Sequence, residues 1–374
     1  MLDRAKVMRE ISFLSKELFF DFSHEYEQAR IAWTAATQDS LFLQKVQAYP
    51  SYNLPTWEGN LDDTHPLFPW VDPYQIVSVD GSQIYPDKHQ GTSCFLLNIG
   101  TVVLRYGKEH AASSFNSEPF LFAEYAIEQD IDRSIDVVNG KREEFELQAG
   151  LSACSLLQEQ FQEIPLLLLF DGSLIFWHLE TKEAIIKQYF LKAYFKLLEQ
   201  FYQKHIPIMG YISLPKSKDL VSLLRAQMSD FHPVTSERVH KLLHVVDTGV
   251  VSFFLEEGQR STLFASHMPI VQEYPVHLRP WFCYYSTQSE MVRIEFPYYV
   301  VQDTDLLNRS LSIVADQVKK GGGYPISTAE AHVQAVVKGS DRDFFYQLLE
   351  KHSIDQKRQL LLSQKNLKKR KMSI

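Results

Sequence analysis

Disulfides cannot frame this chain. It holds three cysteines in 374 residues, Cys94, Cys154 and Cys283, far apart and with no Cys-x-x-Cys pair. That excludes a disulfide scaffold and a cysteine-based zinc site, and it fits a reducing compartment. Long apolar runs are missing as well. The longest are of strand length, well short of a membrane span, and Met1-Leu2-Asp3-Arg4 opens the chain without the apolar block of a signal peptide. The expectation is a cytoplasmic protein with no membrane association. Positive charge is in deficit, with a formal net charge of −8. The sign counts mildly against a nucleic-acid binder, although acidic metal sites and a basic groove coexist on one protein. Basic residues gather in one place, the tail Lys365-Asn366-Leu367-Lys368-Lys369-Arg370-Lys371, which by itself reads as a solvated terminus. Gly321-Gly322-Gly323 is no phosphate-binding P-loop, because no Gly-Lys-Ser/Thr follows. Low-complexity segments are absent.

What is present is an ordinary globular composition, 45% apolar and 22% charged, with 25 Phe and 18 Tyr to build a bulky core. One phrase occurs twice. Ile76-Val77-Ser78-Val79-Asp80-Gly81-Ser82 and Leu166-Leu167-Leu168-Leu169-Phe170-Asp171-Gly172-Ser173 are both apolar runs closed by Asp-Gly-Ser. Short apolar runs closed by a turn signal read as buried strands. A carboxylate delivered at the end of such a strand stands at the sheet edge, where a ligand can approach. Two of them can share a divalent cation, which takes oxygen ligands.

Around these runs the pattern alternates. Residues 2–36 carry Val7, Ile11, Leu14, Leu18 and Phe22 at helical spacing, and prolines at 55, 66, 69 and 73 mark a connector. Residues 77–105 read as a three-stranded antiparallel meander, with Thr92, Cys94, Leu96, Asn98 and Thr101, Val103, Arg105 as two arms around Gly100. Residues 117–130 read as helical or irregular. Helix 134–162, strand 166–170, helix 181–205 and strand 207–212 then alternate, as in a layered α/β core. Further on come a helix at 218–228, a strand at 250–254, a facing strand pair at 279–285 and 291–296, and helices at 327–337 and 343–363. The organisation expected is an N-terminal helical region and connector (1–70), a main domain (71–340), and a C-terminal helix with the basic tail (341–374).

Two aspartates are too few for metal-assisted phosphoryl chemistry, which clamps one or two divalent ions. The helix before the second strand offers Glu143, Glu144 and Glu146, with Glu146 near the boundary of its buried face. Near the C-terminus, Gly323-Tyr324-Pro325-Ile326-Ser327-Thr328-Ala329-Glu330-Ala331-His332 sets His332 about one turn into a helix kept slim by Ala329, Ala331 and Ala335. Arg293 and Glu295 share one strand face. Glu295 reads as structural, and Arg293 as either an ion-pair partner or a phosphate contact.

In this order and rough spacing, from about residue 70 to 340, these residues resemble the NurA nuclease family of archaea and bacteria. The matching stretches are Asp80-Gly81-Ser82, Arg142 to Glu146, Phe170-Asp171-Gly172-Ser173-Leu174, Arg293-Ile294-Glu295-Phe296-Pro297, and Gly323-Tyr324-Pro325 followed by Ala331-His332. The resemblance implies an α/β fold: an RNase H-like mixed sheet flanked by helices, with additional N- and C-terminal helices. It also implies a Mn²⁺-dependent nuclease (Mg²⁺ being the alternative ion). Such an enzyme would act on single- and double-stranded DNA from the 5′ end, with single-strand endonuclease activity compatible. Homodimerisation and partnership with a HerA-type hexameric translocase in DNA end processing or repair are implied too. Carried over by position, Asp80, Glu146, Asp171 and His332 are the implied metal ligands and Tyr324 an active-site residue. Glu143 and Glu144 stay open as alternatives to Glu146. Two rivals remain: an actin-like or sugar-kinase-type ATPase using the Asp-Gly-Ser turns as phosphate loops, and an inactive nuclease-like scaffold capping a translocase.

Overall fold

The computed structural model describes residues 2–14, 21–50, 53–87, 94–108, 111–123, 135–232 and 242–356. The N-terminal third contains α1 (Arg4–Phe13), α2 (Ser23–Gln38), α3 (Phe42–Ala48), β1 (Thr56–Trp57), β2 (Thr64–Pro66), β3 (Tyr74–Ile84), β4 (Phe95–Tyr106) and β5 (Ala112–Phe122). The middle contains α4 (Ile135–Gln160), β6 (Leu166–Asp171), α5 (Ala184–Gln203), β7 (Ile208–Ile212), α6 (Asp219–Met228) and α7 (Asp247–Val251). Then follow β8 (Gln259–Ser261), β9 (Phe264–Ala265), β10 (Pro280–Ser286) and β11 (Met291–Pro297). The chain continues through α8 (Tyr298–Gln302), α9 (Thr304–Lys320), α10 (Ile326–Ala335) and α11 (Gly339–Asp355).

One mixed sheet runs through the molecule in the order β1-β9-β10-β11-β7-β6-β3-β4-β5, with β8 pairing β10 and β2 pairing β8. β3, β4 and β5 form an antiparallel meander, and β6 and β7 add in parallel beside β3. A meander followed by two parallel strands, in the order β5-β4-β3-β6-β7, is the RNase H-like arrangement. Its centre is β6. Leu167, Leu168 and Leu169 are fully buried, so the run is apolar on both faces because both faces are covered by helices. Each such leucine contributes roughly 1.5–3 kcal/mol by leaving water. A second hydrophobic cluster joins α2, α3, α6 and α7 to Phe264, Phe282 and Tyr284 in the far half of the sheet.

The two helical layers near the site divide β3 by its two-residue alternation. Ser78 and Ser82 turn to α10: the Ser78 hydroxyl donates to Ser327 Oγ at 2.9 Å and the Ser82 hydroxyl to the Ala335 carbonyl at 2.5 Å. Gly81 turns to α4 on the other face. α10 sits close because Ala331 and Ala335 are fully buried against β4, whereas Ala329 is exposed and has no part in the seat.

Several expectations are corrected. Gly100 is not the bend between two arms but lies inside the single strand β4, opposite Asp80. It is a seat for α10: a Cβ there would lie 2.5 Å from the Ala331 carbonyl and 2.6 Å from the Ala335 nitrogen. Gly100→Ala is therefore expected to lift α10 and cost ~1–3 kcal/mol, measurable as a lower midpoint in urea unfolding. The third meander strand is β5, so residues 117–122 are strand rather than helical or irregular. Most of β5 is exposed, and an outer strand of Ser, Asn, Glu and Pro shows no apolar alternation to read. Residues 250–254 are not a strand but the end of α7 and the turn after it. Val250 and Val251 are buried in the second cluster, and packing overrides β propensity there. α1 buries none of its residues, and Leu18, Thr92 and the basic tail lie outside the described residues. Among the described residues no helix is long and apolar enough to cross a membrane. No disulfide joins the three cysteines.

Candidate active site

The parallel ladder between β3 and β6 ends at the pair Val79–Phe170. Asp80 and Asp171 are the next residues on the two strands, so they stand side by side where β6 stops. β3 itself does not stop there, as the repeated phrase suggested, but continues to Ile84 against β4. Asp80 is thus fixed in regular strand while its other flank is open.

Asp80 meets α10 itself and Asp171 meets the segment that leads into it. Asp80 Oδ2 lies 2.8 Å from His332 Nδ1, and Asp80 Oδ1 accepts from the Gly81 N–H at 2.7 Å. The Tyr324 hydroxyl lies near enough to Asp171 to favour its ionised carboxylate. The Tyr324 ring packs edge-on against Tyr211 with centroids 5.4 Å apart. Burial holds the Asp171 carboxyl above the usual range, and the nearby Asp80 charge adds to this, while the Tyr324 hydrogen bond and His332 work against it. Burial likewise pushes the Tyr324 hydroxyl up, with Asp171 contributing.

The third acid comes from the opposite layer. Glu146 on α4 is buried, and its carboxylate reaches the sheet where Gly81 has no side chain. A Cβ at Gly81 would lie 2.4 Å from Glu146 Oε1. Burial raises the Glu146 carboxyl well above its ordinary value, and the charges of Glu143, Asp80 and Asp171 push the same way. Arg142, one turn earlier, opposes them with its Nε 3.3 Å from Glu146 Oε1. Glu146 Oε1 nevertheless finds no hydrogen-bond partner. The neighbouring glutamates are engaged differently. Glu144 pairs with Lys141 at 2.8 Å. Glu143 stands 3.5 Å from His178, burial raising its carboxyl to about 7 and lowering the imidazole to about 4.

The sequence matches the model of the NurA domain over residues 74–337, well over half of the chain. The chain belongs to the NurA family. No curated protein sequence matches at a significant level. A crystal structure of NurA with manganese is similar at a TM-score of 0.42 and 11% identity, over 92% of this chain and 98% of that one. A structure of NurA bound to dAMP and manganese is similar at 0.37 and 11% identity, over 91% and 95%. A RuvC structure from Thermus thermophilus is similar at 0.18 and 13% identity, over 48% and 93%.

Of the residues that the NurA resemblance singled out, Asp80, Asp171, Tyr324 and His332 lie together on one face, and Glu146 stands at Gly81 on the other face, near enough for the Asp80 and Asp171 charges to act on it. Arg142 was quoted only as part of a motif, yet its i, i+4 spacing to Glu146 is the signal of an ion pair on a helix. Arg293 is an ion-pair partner. It is buried between Glu295 and Asp219, each at 2.7 Å, and stacks on Phe282 with the guanidinium carbon 3.6 Å from the ring centre. Neither Asp-Gly-Ser hydroxyl is turned outward for a phosphate. Ser82 is bonded to Ala335 and Ser173 donates to Glu295 at 2.7 Å.

Among the described residues no three His, Cys, Asp or Glu side chains stand close enough to hold one ion as placed. The donor set is nevertheless of the kind a hard divalent cation takes. Three carboxylates lie near one sheet edge, two with raised proton affinity, and one buried oxygen has no hydrogen-bond partner although Arg142 stands 3.3 Å away. Arg142 offsets only part of the clustered negative charge, and a cation would offset more.

Proposed function

We propose that this NurA-family protein is a divalent-metal-dependent nuclease that hydrolyses DNA phosphodiester bonds. The observation that carries the reading is the placing of Asp80, Asp171 and Glu146 around the end of β6, near enough for their charges to act on one another, with a buried Glu146 oxygen that has no hydrogen bond. Asp80, Glu146 and Asp171 would hold the ion, Mn²⁺ or Mg²⁺. His332, with Nδ1 already on Asp80, has Nε2 left for it. A carboxylate on one ring nitrogen is what orients a ligating imidazole. When bound, the ion supplies an activated water and positive charge for the leaving oxygen. The chain's own groups do the holding. His332 restrains Asp80, the Tyr324 hydroxyl favours the ionised form of Asp171, and Arg142 balances part of the Glu146 charge. In the finer form of this reading the enzyme trims DNA from 5′ ends and can also nick single strands.

Labelled single- and double-stranded DNA incubated with the pure protein tests this. Cleavage is expected in Mn²⁺ without nucleotide and none in chelator. No cleavage in Mn²⁺, with ATP turnover in its place, would favour phosphate loops. Gly81→Ala gives a second test. The new methyl would lie 2.4 Å from Glu146 Oε1 and 2.7 Å from Arg142 Cγ, so it displaces both side chains, and cleavage is expected to fall by about tenfold or more while the chain stays folded in a melting scan. Normal cleavage by this variant would remove Glu146 from the site.

The same reading includes a homodimer docked on a HerA-type hexameric translocase. Exposed Met8, Ile11 and Phe13 on α1, a helix that buries nothing in this chain, support an association surface. Sedimentation at micromolar concentration, with and without a co-encoded translocase, checks it. A monomer that binds no translocase contradicts it.

A further inference from the structure

β6 ends at Asp171, so the backbone that follows has left the ladder. The N–H groups of Leu174 and Ile175 have no strand partner, and buried donors of that kind need acceptors. They find one on a strand more than a hundred residues away. Glu295 is fully buried, and its Oε2 accepts from Leu174 N at 2.8 Å, Ile175 N at 3.3 Å and the Ser173 hydroxyl at 2.7 Å. Its other oxygen accepts from Arg293 Nε at 2.7 Å. Arg293 is fixed in turn by Asp219 at 2.7 Å and by the Phe282 ring. One carboxylate therefore gathers three donors from the residues just after Asp171.

A buried charge needs partners that satisfy it fully, and here almost all of them belong to one turn. We propose that Glu295 is a positioning residue. It locks the turn 171–175 so that the Asp171 carboxylate stands beside Asp80 when a divalent cation binds. The inference rests on the metal-dependent reading above. Tyr324 stands by Asp171 from the segment before α10, and Glu295 restrains the backbone that carries Asp171. Arg293 keeps Glu295 aimed. Without the Glu295 charge the turn loosens, and Asp171 spends less time where a cation needs it. Partners of this outer kind set how well the inner ligands hold an ion.

Glu295→Gln and Ser173→Ala in the full chain test the proposal. Glu295→Gln keeps the shape but cannot accept from both the turn and Arg293. Ser173→Ala removes one of the three donors to Glu295, along with the hydroxyl that accepts from the Ile175 N–H at 3.0 Å, and leaves Glu295 itself in place. Binding of Mn²⁺ alone is measured by calorimetry without DNA. DNA cleavage is then followed across Mn²⁺ concentrations. For Glu295→Gln, Mn²⁺ affinity is expected to weaken by about 10–100-fold. Cleavage at low Mn²⁺ should drop and recover as Mn²⁺ is raised, with KM for DNA within about twofold of wild type. Ser173→Ala should shift the same quantities in the same direction, by less. A folded Glu295→Gln that binds Mn²⁺ and turns over like wild type overturns the proposal. If Glu295→Gln does not fold, Ser173→Ala decides: weakened Mn²⁺ binding supports the proposal and unchanged binding overturns it. If wild type binds Mn²⁺ but leaves DNA intact, the nuclease reading fails while calorimetry still judges Glu295. If wild type binds no Mn²⁺, both fall.

Discussion

Asp80→Asn is expected to cut DNA at least ~10²-fold more slowly than wild type, the scale of losing one major electrostatic contributor to a transition state. The change keeps the shape of the side chain and one oxygen, but it removes the charge. A hard cation prefers anionic oxygen, so Mn²⁺ affinity should fall with the rate. Stability should not fall. The Asp80 charge raises the proton affinity of Glu146 and Asp171, and removing one of several clustered like charges relieves repulsion. Melting in chelator should hold or rise, whereas the gain in melting temperature on adding Mn²⁺ should shrink, because an ion that binds only the folded state stabilises it in proportion to its affinity. Cleavage and melting measured side by side, in chelator and in Mn²⁺, separate these effects. A folded variant that cuts DNA at the wild-type rate would make Asp80 a turn residue only.

Arg293→Met should instead damage the fold. The guanidinium is buried between Glu295 and Asp219 and lies over Phe282. Methionine fills similar space and keeps some of the packing on Phe282. It leaves two buried carboxylates without their counter-charge, with a fully buried Asp247 close by whose carboxyl is already raised to about 6 by burial and by Asp219. Breaking a buried ion pair from one side costs ~3–5 kcal/mol, a large share of the roughly 5–15 kcal/mol that holds a typical domain. Urea unfolding followed by circular dichroism should show a much lower midpoint. A loss below about 1 kcal/mol, the range of exposed pairs, would mean that water reaches the carboxylates and that the network is not buried.

How far the site was legible depends on whether its signals are local. Asp80 and Asp171 were readable because each closes an apolar run, and an apolar run in a doubly covered sheet is a strong signal. The choice among Glu143, Glu144 and Glu146 was not readable locally. It turns on helical phase against a particular strand: Gly81 leaves room for Glu146, Glu143 meets His178, and Glu144 turns to Lys141. His332 stood out by its slim alanine helix after Gly321-Gly322-Gly323-Tyr324, but the roles of His332 and Tyr324 came only through the ordered set of family motifs, since a lone helical histidine carries little information. Gly100 was misread because glycine in a strand more often marks a bend or bulge, and the helix that needs its missing side chain is over two hundred residues away. β5 was missed because a strand exposed along most of its length carries no apolar alternation. The bracing of residues 173–175 by Glu295 joins segments more than a hundred residues apart, and nothing in either stretch announces the other.

The most direct test of the central claim is to locate Mn²⁺ itself. Crystals of the protein grown or soaked with Mn²⁺, measured at the manganese absorption edge, should show anomalous density in the gap bounded by Asp80, Glu146 and Asp171. If two ions are present, they should lie ~3.5–4 Å apart. The same crystals in chelator should lose the peak. Density only elsewhere, such as between Glu143 and His178, or none at all at saturating Mn²⁺, would contradict the account.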